Sequence, residues 1–228
     1  MSPLTAPGSL VLLGVGLVAL GGDRSVSSPR SVGRRSRLIV TMRPLFTIHA
    51  GEYLVGLHVQ KHLNLNAWIP AKDTGIDLLV TDHDNHHTAS LQVKYGKDFL
   101  PEEKIPERRD KFRCHSWFVL NRTRLNESEA DFWVFVLHGF KSEAPDFIVI
   151  PTAELLRRMA KLHGVDGDRL QCYLSSTESG QCWETRGLRN EDWLQIINGT
   201  YKSSLRDFTR YLNKDGWTAL TKKLNQQG

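Results

Sequence analysis

The chain has 228 residues, of which 40% are hydrophobic and six are Trp. That is enough apolar material for a sizeable domain, and it excludes an intrinsically disordered chain. The formal net charge is +5, but residues 1–41 hold five Arg and one Asp, which leaves +1 for residues 42–228; any binding of nucleic acid must therefore rest on local patches.

The first segment contains "LVLLGVGLVAL" (Leu10–Leu20) and then a Ser/Arg/Pro/Gly tract without periodicity. Eleven residues are too few to cross a bilayer, which takes about 20, and no Lys or Arg precedes the apolar run. Residues 1–41 are read as a disordered leader or an over-long start upstream of Met42, in preference to an export signal. No membrane partner is expected. Cys114, Cys172 and Cys182 lack CxxC spacing and are expected to be reduced thiols in a cytoplasmic protein.

"GEYLVGLHVQKHL" has helical spacing, with Leu54, Val55, Val59 and Leu63 on one face. Gly56, one turn after Glu52, is expected to allow a close backbone approach. "AWIP" reads as a short strand ended by proline. "IDLLVTD" and "TASLQVK" read as two strands joined by the polar turn "HDNHH". Residues 96–115 are charged, contain Pro101 and Pro106, and read as loop or short helix. "SWFVLN", "DFWVFVLH" and "DFIVI" are further strands; Trp117, Phe118, Trp133 and Phe135 are expected in the sheet core. "PTAELLRRMAKLHG" opens with Pro151, Thr152 and Glu154 and closes at Gly164, as a helix does. "NEDWLQIING", "YKSSLRDFTRYLN" and "DGWTALTKKL" all read as helices. The order predicts an α/β or α+β fold with a mixed sheet, whose strands "LQVK" and "FWVFV" should be covered on both faces.

The hairpin carries the candidate site. Reflection about a four-residue turn, His83–His86, sets Asp77 opposite Gln92, and opposed residues point to one face. Lys94, two further on, shares that face. A carboxylate, an amide and an amine thus converge at one hairpin end, and a one-residue slip would scatter them. Glu52, on the preceding helix, brings a second carboxylate. Taken singly, Asp77 also reads as a turn-capping residue after Gly75, and Lys94 as a solvated strand end.

"GEYLVGLHVQKHL … GIDLLV … LQVKYG" resembles the PD-(D/E)XK, or restriction-endonuclease-like, nuclease superfamily. There a helix supplies an acid, a strand an Asp, and the next strand (D/E)-x-K. The matching positions are Glu52, Asp77, Gln92 and Lys94, with Gln92 where Asp or Glu is usual, a Q-x-K variant. The resemblance covers about residues 48–96 and more loosely the strands to about 151. It implies a restriction-endonuclease-like mixed sheet flanked by helices, with a leader (1–41), a nuclease-like domain (42–187) and a helical C-terminal extension (188–228).

It also implies an endonuclease acting on DNA, in restriction or defence; the sequence alone does not separate DNA from RNA. A homodimer or a separate recognition module would accompany it. The cofactor would be Mg²⁺, with Mn²⁺ as substitute, held by Asp77, Glu52, the Gln92 amide oxygen and the Val93 carbonyl, because hard cations take oxygen ligands. Lys94 would orient or deprotonate the water, or stabilise developing charge. Lys97 is the expected contact to the nucleic-acid backbone; "ERRDKFR" (107–113) reads equally as phosphate contact or solvated segment. Two alternatives stand beside this reading: a nuclease-fold protein that binds nucleic acid without cutting it, and a metal-binding protein using the His83–His87 loop, which otherwise reads as a solvated turn.

Overall fold

A computed structural model describes residues 49–71, 75–140, 144–164 and 167–226. The leader lies outside these. The described residues belong to one compact unit.

The elements are α1 (Ala50–Leu63), β1 (Asn66–Trp68), β2 (Leu78–Thr81), β3 (Thr88–Gly96), α2 (Pro106–Lys111), β4 (Phe112–Asn121), α3 (Arg122–Asn126), β5 (Phe132–Leu137), β6 (Asp146–Pro151), α4 (Thr152–His163), β7 (Arg169–Thr177), β8 (Cys182–Glu184), α5 (Asn190–Ile197) and α6 (Asn213–Asn225). A five-stranded mixed sheet runs β1-β2-β3-β5-β6, and a three-stranded antiparallel sheet runs β4-β7-β8. In the larger sheet only β3 and β5 are parallel.

Each face of the mixed sheet is covered, as its apolar strands require. On one face α1 and α6 contribute Val55, Val59, Trp217, Leu220 and Leu224 to a core with Leu91, Val93, Val134 and Val149. Val55 and Val59 are fully buried, which stabilises by about 1.5–3 kcal/mol each. On the other face Trp133, Phe135 and Ile148 meet Phe118 and Leu120 of β4, Cys172 and Leu174 of β7, and Leu155 and Met159 of α4. The three cysteines are buried free thiols. α5 packs through Ile196 and Trp193 against Phe112 and Trp183. Among the described residues no helix is long and apolar enough to cross a membrane.

Three expectations need correction, and one segment gains elements that the sequence reading left out. Residues 201–212 are not a helix; they form turns and one 3-10 turn, Thr209–Tyr211. Their apolar spacing mimics a helix, but buried Arg158 takes the carbonyls of Leu205 and Asp207, each at 2.7 Å. Short bridges then tie Leu212 to Ile148 and Asp207 to Trp183. Residues 169–184, left without an element above, form β7 and β8. Trp117 is not core: neighbours on a strand point to opposite faces, so Phe118 turns inward and Trp117 outward, half-buried and stacked on Tyr173 with ring centroids 6.2 Å apart. Gly56 makes no close approach, since a Cβ there would lie 3.9 Å from Ala67 Cβ; the tight glycine of α1 is Gly51, where a Cβ would lie 3.0 Å from Tyr95 Cβ.

Candidate functional site

The β2–β3 hairpin pairs Leu78 with Leu91 and Thr81 with Thr88. Asp77 therefore faces Gln92 in the register the turn predicts, and its N–H donates to the Leu91 carbonyl at 2.8 Å. β2 begins at Leu78 while β3 runs on to Gly96, so beyond this point the inner edge of β3 has lost its strand partner. The Asp77 side chain takes over. Its Oδ2 accepts the Val93 N–H at 2.7 Å and a second, short bond from the Gln92 amide nitrogen.

Asp77 and Gln92 are buried, 4% and 9% exposed. Burying such groups is costly unless they are paired, and each meets that requirement through the other. Lys94 is half-buried on the same face, with its Nζ 5.5 Å from the centre of the Trp133 ring. Trp133 is the β5 neighbour of Gln92, so the ring and the ammonium share a face, a geometry that attracts a cation. The structure thus brings Asp77, Gln92 and Lys94 together.

Glu52 arrives from the other side of the sheet. α1 starts against Val93 and Tyr95, as the contacts of Gly51 show, and these side chains alternate with Gln92 and Lys94. Glu52 is 4% exposed and lines a cleft of about 210 Å³ with Tyr53, Gly56, Ile69 and Leu78. It approaches the hairpin end through Leu78, the neighbour of Asp77. His49, which sequence reading missed, holds Glu52 through Nδ1 to Oε1 at 3.2 Å; the signal was its i,i+3 spacing from Glu52 across the helix start.

Lys97 lies beyond β3, exposed, 3.1 Å from Glu102 Oε1 and over the Phe99 ring. The histidine turn is organised by Asp82, whose carboxylate accepts the His86 N–H at 2.7 Å and contacts the His87 ring at 2.8 Å. Asn85 closes it in the left-handed conformation, φ 60°. Among the described residues no three His, Cys, Asp or Glu side chains gather as a metal-holding group.

A hard cation at the hairpin end would lean on the Asp77 and Glu52 carboxylates, the Val93 carbonyl and the Gln92 amide oxygen. This all-oxygen set suits Mg²⁺. Val93 presents its backbone to the edge where Asp77 sits, as its N–H shows. One feature runs the other way: the Gln92 group facing Asp77 is the nitrogen, and its Oε1 lies on the Gly75 side. Recruiting that oxygen takes a half-turn of the amide, which exchanges N and O with little change of shape.

No family model, no curated protein and no solved structure matches this chain.

Proposed function

We propose that the protein is a metal-dependent nuclease of the PD-(D/E)XK type, in its Q-x-K form, hydrolysing phosphodiester bonds in DNA. The observation that carries this reading is the shared face of Asp77, Gln92 and Lys94 where β2 ends and β3 runs on. The chain order supports it too, with an acid on the preceding helix, an Asp at the start of one strand and Q-x-K on the next. Mg²⁺ bound there would neutralise phosphate charge and lower the pKa of an attacking water. Asp77 and Glu52 would hold it, with neutral oxygens from Val93 and Gln92. Lys94 contributes a cation on the same face, held by Trp133, positioned to stabilise phosphate charge or to orient water.

A second reading is a nuclease-fold protein that binds nucleic acid without cutting. The bond from the Gln92 amide to Asp77 favours it, because the pair is complete without a cation.

Plasmid nicking with Mg²⁺ or Mn²⁺ separates the two, with single-stranded DNA and RNA as further substrates. The nuclease reading expects cleavage by the native chain and its loss in Asp77→Ala and Lys94→Ala. Cleavage that survives Asp77→Ala removes the assignment. Retarded DNA with no cleavage under any metal selects the second reading.

A further inference from the structure

A separate open cleft of about 320 Å³ is lined by Leu162, His163, Glu184, Arg186, Gly187 and Arg206. It lies where the end of α4, the end of β8 and the 203–207 turn meet, and it shares no residue with the hairpin site. Its chemistry is that of donors. Arg186 Nη1 donates to His163 Nδ1 at 2.9 Å. A guanidinium only donates, so Nδ1 accepts and the ring hydrogen sits on Nε2. That nitrogen is closed off from solvent and has no hydrogen-bond partner among the described residues, so the ring serves the cleft through the bond that holds Arg186. Burial, and then the charges of Arg186, Arg206 and Arg122, hold the His163 pKa below its ordinary value. The ring is thus neutral and accepts from Arg186.

Glu184 does not compete for a ligand. It is 1% exposed and satisfied from within by Arg206, the Arg186 N–H at 3.3 Å and the Tyr173 N–H at 3.4 Å. The bonds Arg206 makes among the described residues leave from Nη1 alone. Two guanidiniums against one carboxylate leave the cleft positive.

We propose that this cleft binds a phosphomonoester, with Arg186 and Arg206 donating to its oxygens and His163 holding the Arg186 guanidinium in place. Two guanidiniums from separate chain segments offer several donors to a group with several oxygens, and arginine forks match phosphate. The volume equals about ten waters at about 30 Å³ each, so there is room for what the phosphate is attached to. A free 5′-mononucleotide and the 5′-phosphorylated end of a strand both present this group.

The test is calorimetric titration of the full chain at low salt. The probes are inorganic phosphate, deoxyadenosine 5′-monophosphate, deoxyadenosine, and an oligonucleotide with and without a 5′-phosphate. The mononucleotide should bind with Kd below about 1 mM, and deoxyadenosine at least about tenfold more weakly. Exposed Arg186 tolerates change, so Arg186→Gln should fold, as circular dichroism will check, and weaken binding about tenfold or more. Arg186→Lys should fall between, and His163→Phe should also weaken binding. Oligonucleotide binding that needs its 5′-phosphate and Arg186 assigns the cleft to strand ends; mononucleotide binding without it assigns the cleft to free nucleotides. No saturable binding of phosphate or mononucleotide up to about 10 mM, or binding indifferent to Arg186→Gln, overturns the proposal.

Discussion

The Val93 N–H and the Asp77 carboxylate are joined at 2.7 Å, and this bond stands where the next rung of the β2–β3 ladder would be. Asp77 thus has structural work as well as any chemical role. Asp77→Ala should cost about 1–3 kcal/mol, because it strands a buried amide, and should also abolish cleavage. Asp77→Asn keeps an acceptor for Val93 and should recover most of the stability but none of the cleavage. Chemical denaturation beside a nicking assay checks both; recovery of the two together would make Asp77 a structural residue only.

Gln92→Glu exchanges a donor for a second carboxylate against Asp77. Two carboxylates at one place resist joint ionisation, so the variant should melt several degrees lower near pH 8 in a chelator. If Mg²⁺ binds at the hairpin end of the folded state alone, it should restore the loss and stabilise the variant more than the native chain. A melting deficit that millimolar Mg²⁺ leaves untouched argues against a cation at the hairpin end.

Glu154 anchors the clamp on residues 201–212. Its hydrogen bond from Arg157, opposed by burial and aided by Arg158 and Tyr211, brings its pKa from 4.5 down to about 2. A depressed carboxylate stabilises the fold above its unfolded pKa, and that contribution fades as pH falls through the folded value. Glu154→Gln should therefore be less stable than native near pH 7, with the gap closing between about pH 4.5 and 2. Urea melts across that window read it directly; a gap independent of pH would assign the effect to packing.

Two glycine substitutions should act in opposite directions. A Cβ on Gly216 would lie 2.2 Å from the Tyr211 carbonyl oxygen, so Gly216→Ala should lose at least about 1–3 kcal/mol despite the gain in helix propensity. Gly56→Ala in α1 has room and should gain up to about 1 kcal/mol. Thermal melts of both decide it.

The hairpin was legible because a polar turn between two apolar runs sets the register, and register places Asp77, Gln92 and Lys94 by parity alone. Which atom of the Gln92 amide faces Asp77 was not, since it follows from three-dimensional partners. The 201–212 segment misled because Leu205, Phe208 and Tyr211 repeat every three residues, a spacing shared by helices and by turns strung along a core. What holds them is Arg158, far away in sequence. Trp117 was misplaced against a rule the sequence itself offered: Trp117 and Phe118 are adjacent on one strand, so only one faces inward. β7 was legible too, since Leu170, Cys172 and Leu174 alternate.

β3 and β5 lie side by side, yet the chain leaves after Gly96 and makes β4 before returning. β4 in turn waits for β7, which follows β5, β6 and α4. The two sheets are therefore interleaved in sequence, and neither closes as a local unit. Such distant pairing slows folding. During synthesis β4 emerges before β5 and well before β7, so Phe118 lacks the Phe135 it packs on and the strand edge lacks its partner, a template for the wrong neighbour. That exposure ends only when the ribosome has passed Thr177.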